Sequence, residues 1–267
     1  MFLTKKGLRK IILVALCYFV LGSFCIVRGI SNIDVSSYSK FLIVLGVICY
    51  VLCPFITFTG YFSEGTGKVI NLGNKLVRHE LKPAEFIKEY HQLTNASDLI
   101  VNKPNIYVLQ LVAMAYDCLD EREKALSSAD EMIATANEKK RTYAKLIKSS
   151  LLFAYGMKED AEALFTEACA SKQDFTSRTI TEMIIRTDRA FAMEDYKTVE
   201  LYNLDLLTHS LAKQNKLSLL TIHFKLGEVY EKTNNNEKAI PHYQYCVENG
   251  GETALKNSAK VALERIQ

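Results

Sequence analysis

Two uncharged apolar runs, Ile11 to Val27 and Phe41 to Phe62, stand near the front of this 267-residue chain. A bilayer core asks for about 20 consecutive apolar residues in a spanning helix, and both runs approach or meet that length. The second run holds thirteen Leu, Ile, Val or Phe residues. At about −0.3 to −0.6 kcal/mol each they total about −4 to −8 kcal/mol, so its insertion needs no help. The basic leader Lys5 to Lys10 would suit a signal peptide, but no small-residue cleavage site follows and Arg28 closes the run, which therefore reads as an uncleaved span. Cys17 and Cys25 follow Leu16 and Phe24, where lipoprotein processing wants a small residue. The expectation is an anchor over residues 1–64 made of a two-helix transmembrane hairpin, about 11–29 and 41–62. Pro54 would kink the second helix, with the freed carbonyl satisfied by a neighbouring helix or by Thr57. Tyr38, Tyr61 and Phe62 suit the interfaces, and Gly22, Ser23, Gly46, Cys49 and Cys53 give small surfaces where the spans can pack.

Charge sets the orientation. Residues 1–64 carry six basic and two acidic side chains, a net of +4, while the remainder has 27 basic against 28 acidic, a net of −1. Four cations precede the first run, and Lys68, Lys75, Arg78 and Lys82 follow the second; the connection between them holds only Arg28, Asp34 and Lys40. Both termini are thus expected on the cytoplasmic side of the inner membrane. A near-neutral domain offers no basic surface for counterion release, which argues against nucleic acid as a partner. The seven cysteines are odd in number and scattered, so no disulfide framework is implied. For the same reason of compartment, Asn95-Ala96-Ser97 does not predict a glycan.

Ser63 to Gly67 reads as a short joint. Gly65-Thr66-Gly67-Lys68 fails the phosphate-loop pattern, because Phe62 stands where its first glycine belongs and Val69 where its hydroxyl belongs. From Lys68 onward, amphipathic segments of about 12 to 18 residues alternate with turns, which predicts an all-α domain over 65–267. A helix near Lys68 to Glu80 and another begun by Pro83, with Phe86, Tyr90 and Leu93, form a first hairpin ahead of the repeats. In the clearest unit, Leu226, Gly227 and Tyr230 precede an Asn234-Asn235-Asn236 turn, then Ala239, Tyr243 and Cys246. Similar skeletons are Val112, Ala113, Tyr116, Ala125 and Met132; Leu146, Ser150, Phe153, Gly156, Ala161, Phe165 and Ala168; and Ile184, Phe191, Tyr196, Val199 and Leu206. The anchors Ala125, Ala161, Val199 and Ala239 follow one another at 36, 38 and 40 residues. Small side chains there let paired helices approach, while Tyr116, Phe153, Phe165 and Tyr243 fill the gaps between hairpins. A last amphipathic helix from Glu252, with Leu255, Ala259, Ala262 and Ile266 inward, would cap the stack.

The Leu-Gly-x-x-Tyr, small-residue and aromatic positions, in that order, make residues 106–253 resemble the tetratricopeptide repeat (TPR) family, with spacing longer than the family's usual 34. That resemblance implies a TPR-like α-solenoid whose concave groove, lined by the first helix of each repeat, takes a peptide or a partner helix. Aligned from the family's groove positions, the candidate lining is Tyr107, Gln110, Met114 and Asp117 in one unit and Thr221, Phe224, Glu228 and Glu231 in the last. Family members that capture a C-terminal carboxylate place Lys and Asn where this chain has Gln110 and Met114, then Phe224 and Glu228, so their clamp is not expected here.

No chemistry announces itself beside this. His79, His91, His209, His223 and His242 are isolated in the sequence, at no metal-ligand spacing, and nothing marks a nucleophile. No cofactor, metal site or enzymatic activity is expected. The function that follows is a membrane-tethered interaction scaffold or assembly factor on the cytoplasmic face, its partners a protein or peptide and the lipid bilayer. The alternative reading is a membrane-bound regulator that senses a peptide.

Overall fold

The computed structural model describes residues 2–31, 40–49, 66–95, 99–102, 104–170, 180–209 and 214–267. These divide into two compact units, Met1–Val69 with Gln92–Pro104, and Ile70–His91 with Asn105–Gln267. The N-terminal unit thus takes in a segment from inside the expected repeat domain.

The N-terminal unit contains β1 (Phe2–Thr4), α1 (Lys5–Ser31), α2 (Lys40–Cys49) and β2 (Leu99–Asn102). The strands pair antiparallel, Phe2 opposite Asn102 and Leu3 opposite Val101, with an irregularity between Leu3 and Thr4. This two-stranded ribbon is the one departure from helix among the described residues, and the all-α reading did not foresee it. Leu8–Arg28 is the one described helix long and apolar enough to cross a membrane. Its apolar side chains are largely uncovered, Leu13 and Val20 each being 65% exposed. The expected second span is described only over the ten residues of α2, too few to cross; residues 50–62, with Cys53, Pro54, Tyr61 and Phe62, lie outside the described residues, as does Tyr38. The helices α1 and α2 meet at small residues. A Cβ on Gly46 would stand 2.9 Å from the Gly22 carbonyl oxygen, so the backbones approach too closely for a side chain.

The second unit is a stack of helical hairpins. It begins at Ile70 within a helix over 66–79, α3, whose last part Asn74–His79 is π-helical; α4 (Pro83–Thr94) follows and belongs to this unit as far as His91. The expected joint at Ser63 to Gly67 therefore ends inside a helix, and residues 63–65 lie outside the described ones. Four hairpins come next: α5 (Ile106–Cys118) with α6 (Arg122–Thr135), α7 (Glu138–Ala154) with α8 (Lys158–Ala170), α9 (Ile180–Ala192) with α10 (Tyr196–Thr208), and α11 (Lys216–Lys232) with α12 (Asn236–Asn249). The helix α13 (Ala254–Ile266) covers the end. Asparagines start three of the first helices: Asn105 accepts from the Tyr107 and Val108 amides, Asn137 from Lys140 and Asn215 from Ser218.

The hairpins share one turn. Asp120, Gly156, Glu194 and Asn234 each take a positive φ, 57°, 79°, 60° and 57°, and each is followed by an amide that bonds back across the helix end, as Glu121 does to the Tyr116 oxygen at 2.9 Å. Five residues beyond each turn residue lies the expected anchor, and Ala125, Ala161, Val199 and Ala239 are all fully buried. Close approach explains Gly227, where a Cβ would stand 2.7 Å from the Tyr243 ring.

The stack also closes on itself. The helix α3 touches both α5 and α11, the first helices of the first and last hairpins. The turn after α3 is tied to the turn before α13: the Glu252 amide donates to the Leu81 oxygen at 2.9 Å, and Gly251, at φ 55°, leaves no room for a Cβ against Leu81. An open groove of stacked hairpins becomes the inside of a ring.

Candidate functional site

The first helices of all four hairpins, with α3 and α13, surround a half-open cavity of about 1420 Å3. Seven of the eight residues singled out from the sequence line it: Gln110, Met114, Asp117, Thr221, Phe224, Glu228 and Glu231. Tyr107 stands outside, 45% exposed, with the Lys140 ammonium 4.8 Å from its ring centre. Its place on the first turn of α5 carries it past the rim.

The middle hairpins contribute residues that sequence reasoning missed. Ser150 and Asp188 line the same cavity, as do Arg78 from α3 and Lys225 from α11. The signal for two of them was present. Moving from Met114 in steps of 36, 38 and 40 residues, the intervals of the buried anchors, lands on Ser150, Asp188 and Glu228, one cavity position per hairpin. Arg78 carried no such signal, since α3 precedes the repeats.

The wall's carboxylates are satisfied in two ways. At the periphery they pair with cations: Arg265 grips Glu231 with two hydrogen bonds of 2.6 and 2.9 Å, and Arg122 reaches Asp120 at 2.8 Å. The Tyr243 hydroxyl also donates to Glu231 at 2.8 Å, and Arg265 holds that carboxyl below its ordinary range. Elsewhere on the wall, hydroxyls take over. Tyr155 donates to Asp117 at 2.7 Å and Ser150 to Asp188 at 2.5 Å. Burial pushes both of these carboxyls up, Asp188 to about 6, since taking a charge out of water favours its protonated form. Lys225 counters them. Its ammonium lies 3.3 Å from Glu228 and 4.1 Å from the centre of the Phe191 ring. Burial works against that charge, but Glu228, Asp188 and Asp117 together outweigh it and raise the Lys225 pKa. The result is a polar wall with fixed dipoles between apolar patches supplied by Met114, Ile147, Ile184 and Phe224.

The histidines that the sequence leaves apart include one pair that the fold joins. His223 and His242, on α11 and α12, bring their Nδ1 atoms to 2.9 Å, with Tyr245 stacked on His223 at 3.8 Å. Burial pushes His223 down to about 4, so both rings are neutral at physiological pH and one donates to the other. Among the described residues no three His, Cys, Asp or Glu side chains converge as a metal site would require.

Fold and cavity together define a helical, solenoid-like domain with an internal cavity, in a chain that also contains a candidate membrane helix. No protein-family model matches the chain, and neither a curated protein nor a solved structure does.

Proposed function

We propose that this protein is a membrane-tethered, non-enzymatic interaction scaffold or assembly factor whose TPR-like repeats hold a peptide segment of a protein partner inside the ring. One observation carries the reading: the first helices of four successive hairpins turn polar and apolar side chains into one shared cavity of about 1420 Å3. That exceeds the about 300–1,000 Å3 of small-molecule pockets and suits a longer, extended ligand. In this reading the two N-terminal apolar runs form the hairpin anchor in the inner membrane, with both termini cytoplasmic, as the basic flanks favour. Tethering then raises the effective concentration of the captured partner near other membrane components. The test is affinity capture from solubilised membranes with wild type and with a Met114→Ala, Phe224→Ala double variant. Partners that bind the cavity are lost from the variant; identical partner sets would remove the support for the cavity assignment.

A second reading is a regulator that responds to a free short peptide, and the ring closure between Leu81 and Glu252 favours it, because a closed ring can change shape when filled. Thermal stabilisation of the full-length protein by a peptide fraction, with no protein partner captured, would select this reading over the scaffold.

A further inference from the structure

Arg78 stands apart from three other cations of the wall. Lys225 has Glu228, Arg122 has Asp120 and Arg265 has Glu231, yet Arg78 meets no carboxylate among the described residues. Its Nη2 reaches only the Met114 sulfur, at 4.0 Å, and its Nε is buried with no partner at all. Burial pushes the guanidinium below its ordinary pKa, with the Tyr143 phenol acting less strongly in the opposite direction. A partly buried cation without a counter-ion is costly, and an interior normally supplies one.

Two more donors line the same cavity. Asn74 lies four residues before Arg78 on the same π-helical turn, and Gln110, only 8% exposed, lies on α5 one helical turn before Met114, the residue that Arg78 reaches. Neither carboxamide hydrogen-bonds to another described residue, so three polar side chains with donors to spare line the cavity on α3 and α5, which touch each other. Such π-helical turns are frequent at functional sites.

We infer that Asn74, Arg78 and Gln110 form an anion subsite that receives the terminal carboxylate of a peptide lying in the cavity. This rests on the peptide-binding reading above and adds the chemistry of one end of the ligand. A single guanidinium matches a planar, singly charged carboxylate through two parallel hydrogen bonds. A phosphate dianion fits less well, because one guanidinium beside two neutral carboxamides offers a single positive charge, and the Asp117 carboxylate lies one helical turn from Met114 on the same wall. The cation comes from α3, ahead of the hairpins, and it stands over the cavity only because the ring closes α3 against α5 and α11.

The test uses the full-length protein in detergent micelles and two synthetic heptapeptide mixtures of random sequence lacking Asp and Glu, one with a free terminal carboxylate and one amidated. Wild type should retain the acid form at least tenfold more than the amide. Arg78→Met should bring the two to parity while retention of the amide stays unchanged, and Arg78→Lys, which keeps the charge and loses the planar fork, should fall between. Because it removes an unpaired cation, Arg78→Met should melt no lower than wild type. Equal retention of both forms by wild type would overturn the subsite and leave the cavity reading standing. Displacement of the acid peptides by millimolar inorganic phosphate, through Arg78, would assign the subsite to phosphate instead. Retention of neither form would sink the cavity reading and the subsite together.

Discussion

The interiors of the hairpins and the wall of the cavity are built from opposite sides of the same helices, and they obey different rules. Between paired helices, Ala125, Ala161, Val199, Ala239 and Leu226 are fully buried and apolar, and Gly227 leaves space for one tyrosine ring. Such surfaces are specified by volume. On the other side, Met114, Ser150, Asp188 and Glu228 occupy equivalent positions yet share neither size nor charge. Repetition persists where packing demands it and lapses on the cavity wall. The difference separates a layer that sets stability from a surface that packing leaves free to diverge.

That contrast can be broken by substitution. Leu226→Ala should lose about 2–5 kcal/mol in chemical denaturation, the cost of a cavity in a packed layer. Phe224→Ala, two residues earlier but on the cavity wall and half-buried, should lose only about 1–2 kcal/mol. Equal losses would erase the distinction. At Gly227 a methyl group gains a little helix propensity, about 0.5–1 kcal/mol, and collides with the Tyr243 ring. Overpacking costs more, so Gly227→Ala should be destabilising by about 1–2 kcal/mol net.

The shared turn offers a paired test of opposite signs. Gly156 at φ 79° has open space around it, so Gly156→Ala should cost about 1 kcal/mol through backbone strain alone. Glu194 holds the same conformation at φ 60° with a side chain, so Glu194→Gly should recover about 1 kcal/mol, less what glycine loses in the unfolded chain. Thermal melts of the two variants should move in opposite directions.

The smallest effect is on the cavity side and depends on pH. The Asp188 carboxyl titrates near 6 in the folded protein, above its ordinary value of 3.8, so the native state binds the extra proton between those values. Its contribution to stability is present at low pH and is lost as pH rises through about 6. Lowering pH from 7 to 5 should therefore stabilise wild type relative to Asp188→Asn. An unchanged difference across that range would mean that Asp188 is not desolvated.

What the sequence made legible follows the same division. Anchors at 36, 38 and 40 residue intervals mark the packed layer, because close helix approach admits few side chains and leaves a pattern. The cavity register was legible only by transfer of those intervals, since Ser150 and Asp188 do not resemble Met114 or Glu228. Ring closure left no local trace: Leu81 and Glu252 are far apart in the chain, and a backbone hydrogen bond asks nothing of either side chain. Arg78 was read as one of several flanking cations, and its place in the cavity depends on that closure. The ribbon of β1 and β2 was equally invisible, being three and four residues long.

The claim that the inner wall is the recognition surface can be examined with a photo-crosslinking amino acid placed in the full-length, membrane-inserted protein, either at Phe224 in the cavity or at Leu201, which is exposed outside it. The account predicts specific adducts from position 224, suppressed by excess free-acid peptide, and none above background from position 201. Adducts from 201 with a silent 224 would contradict it.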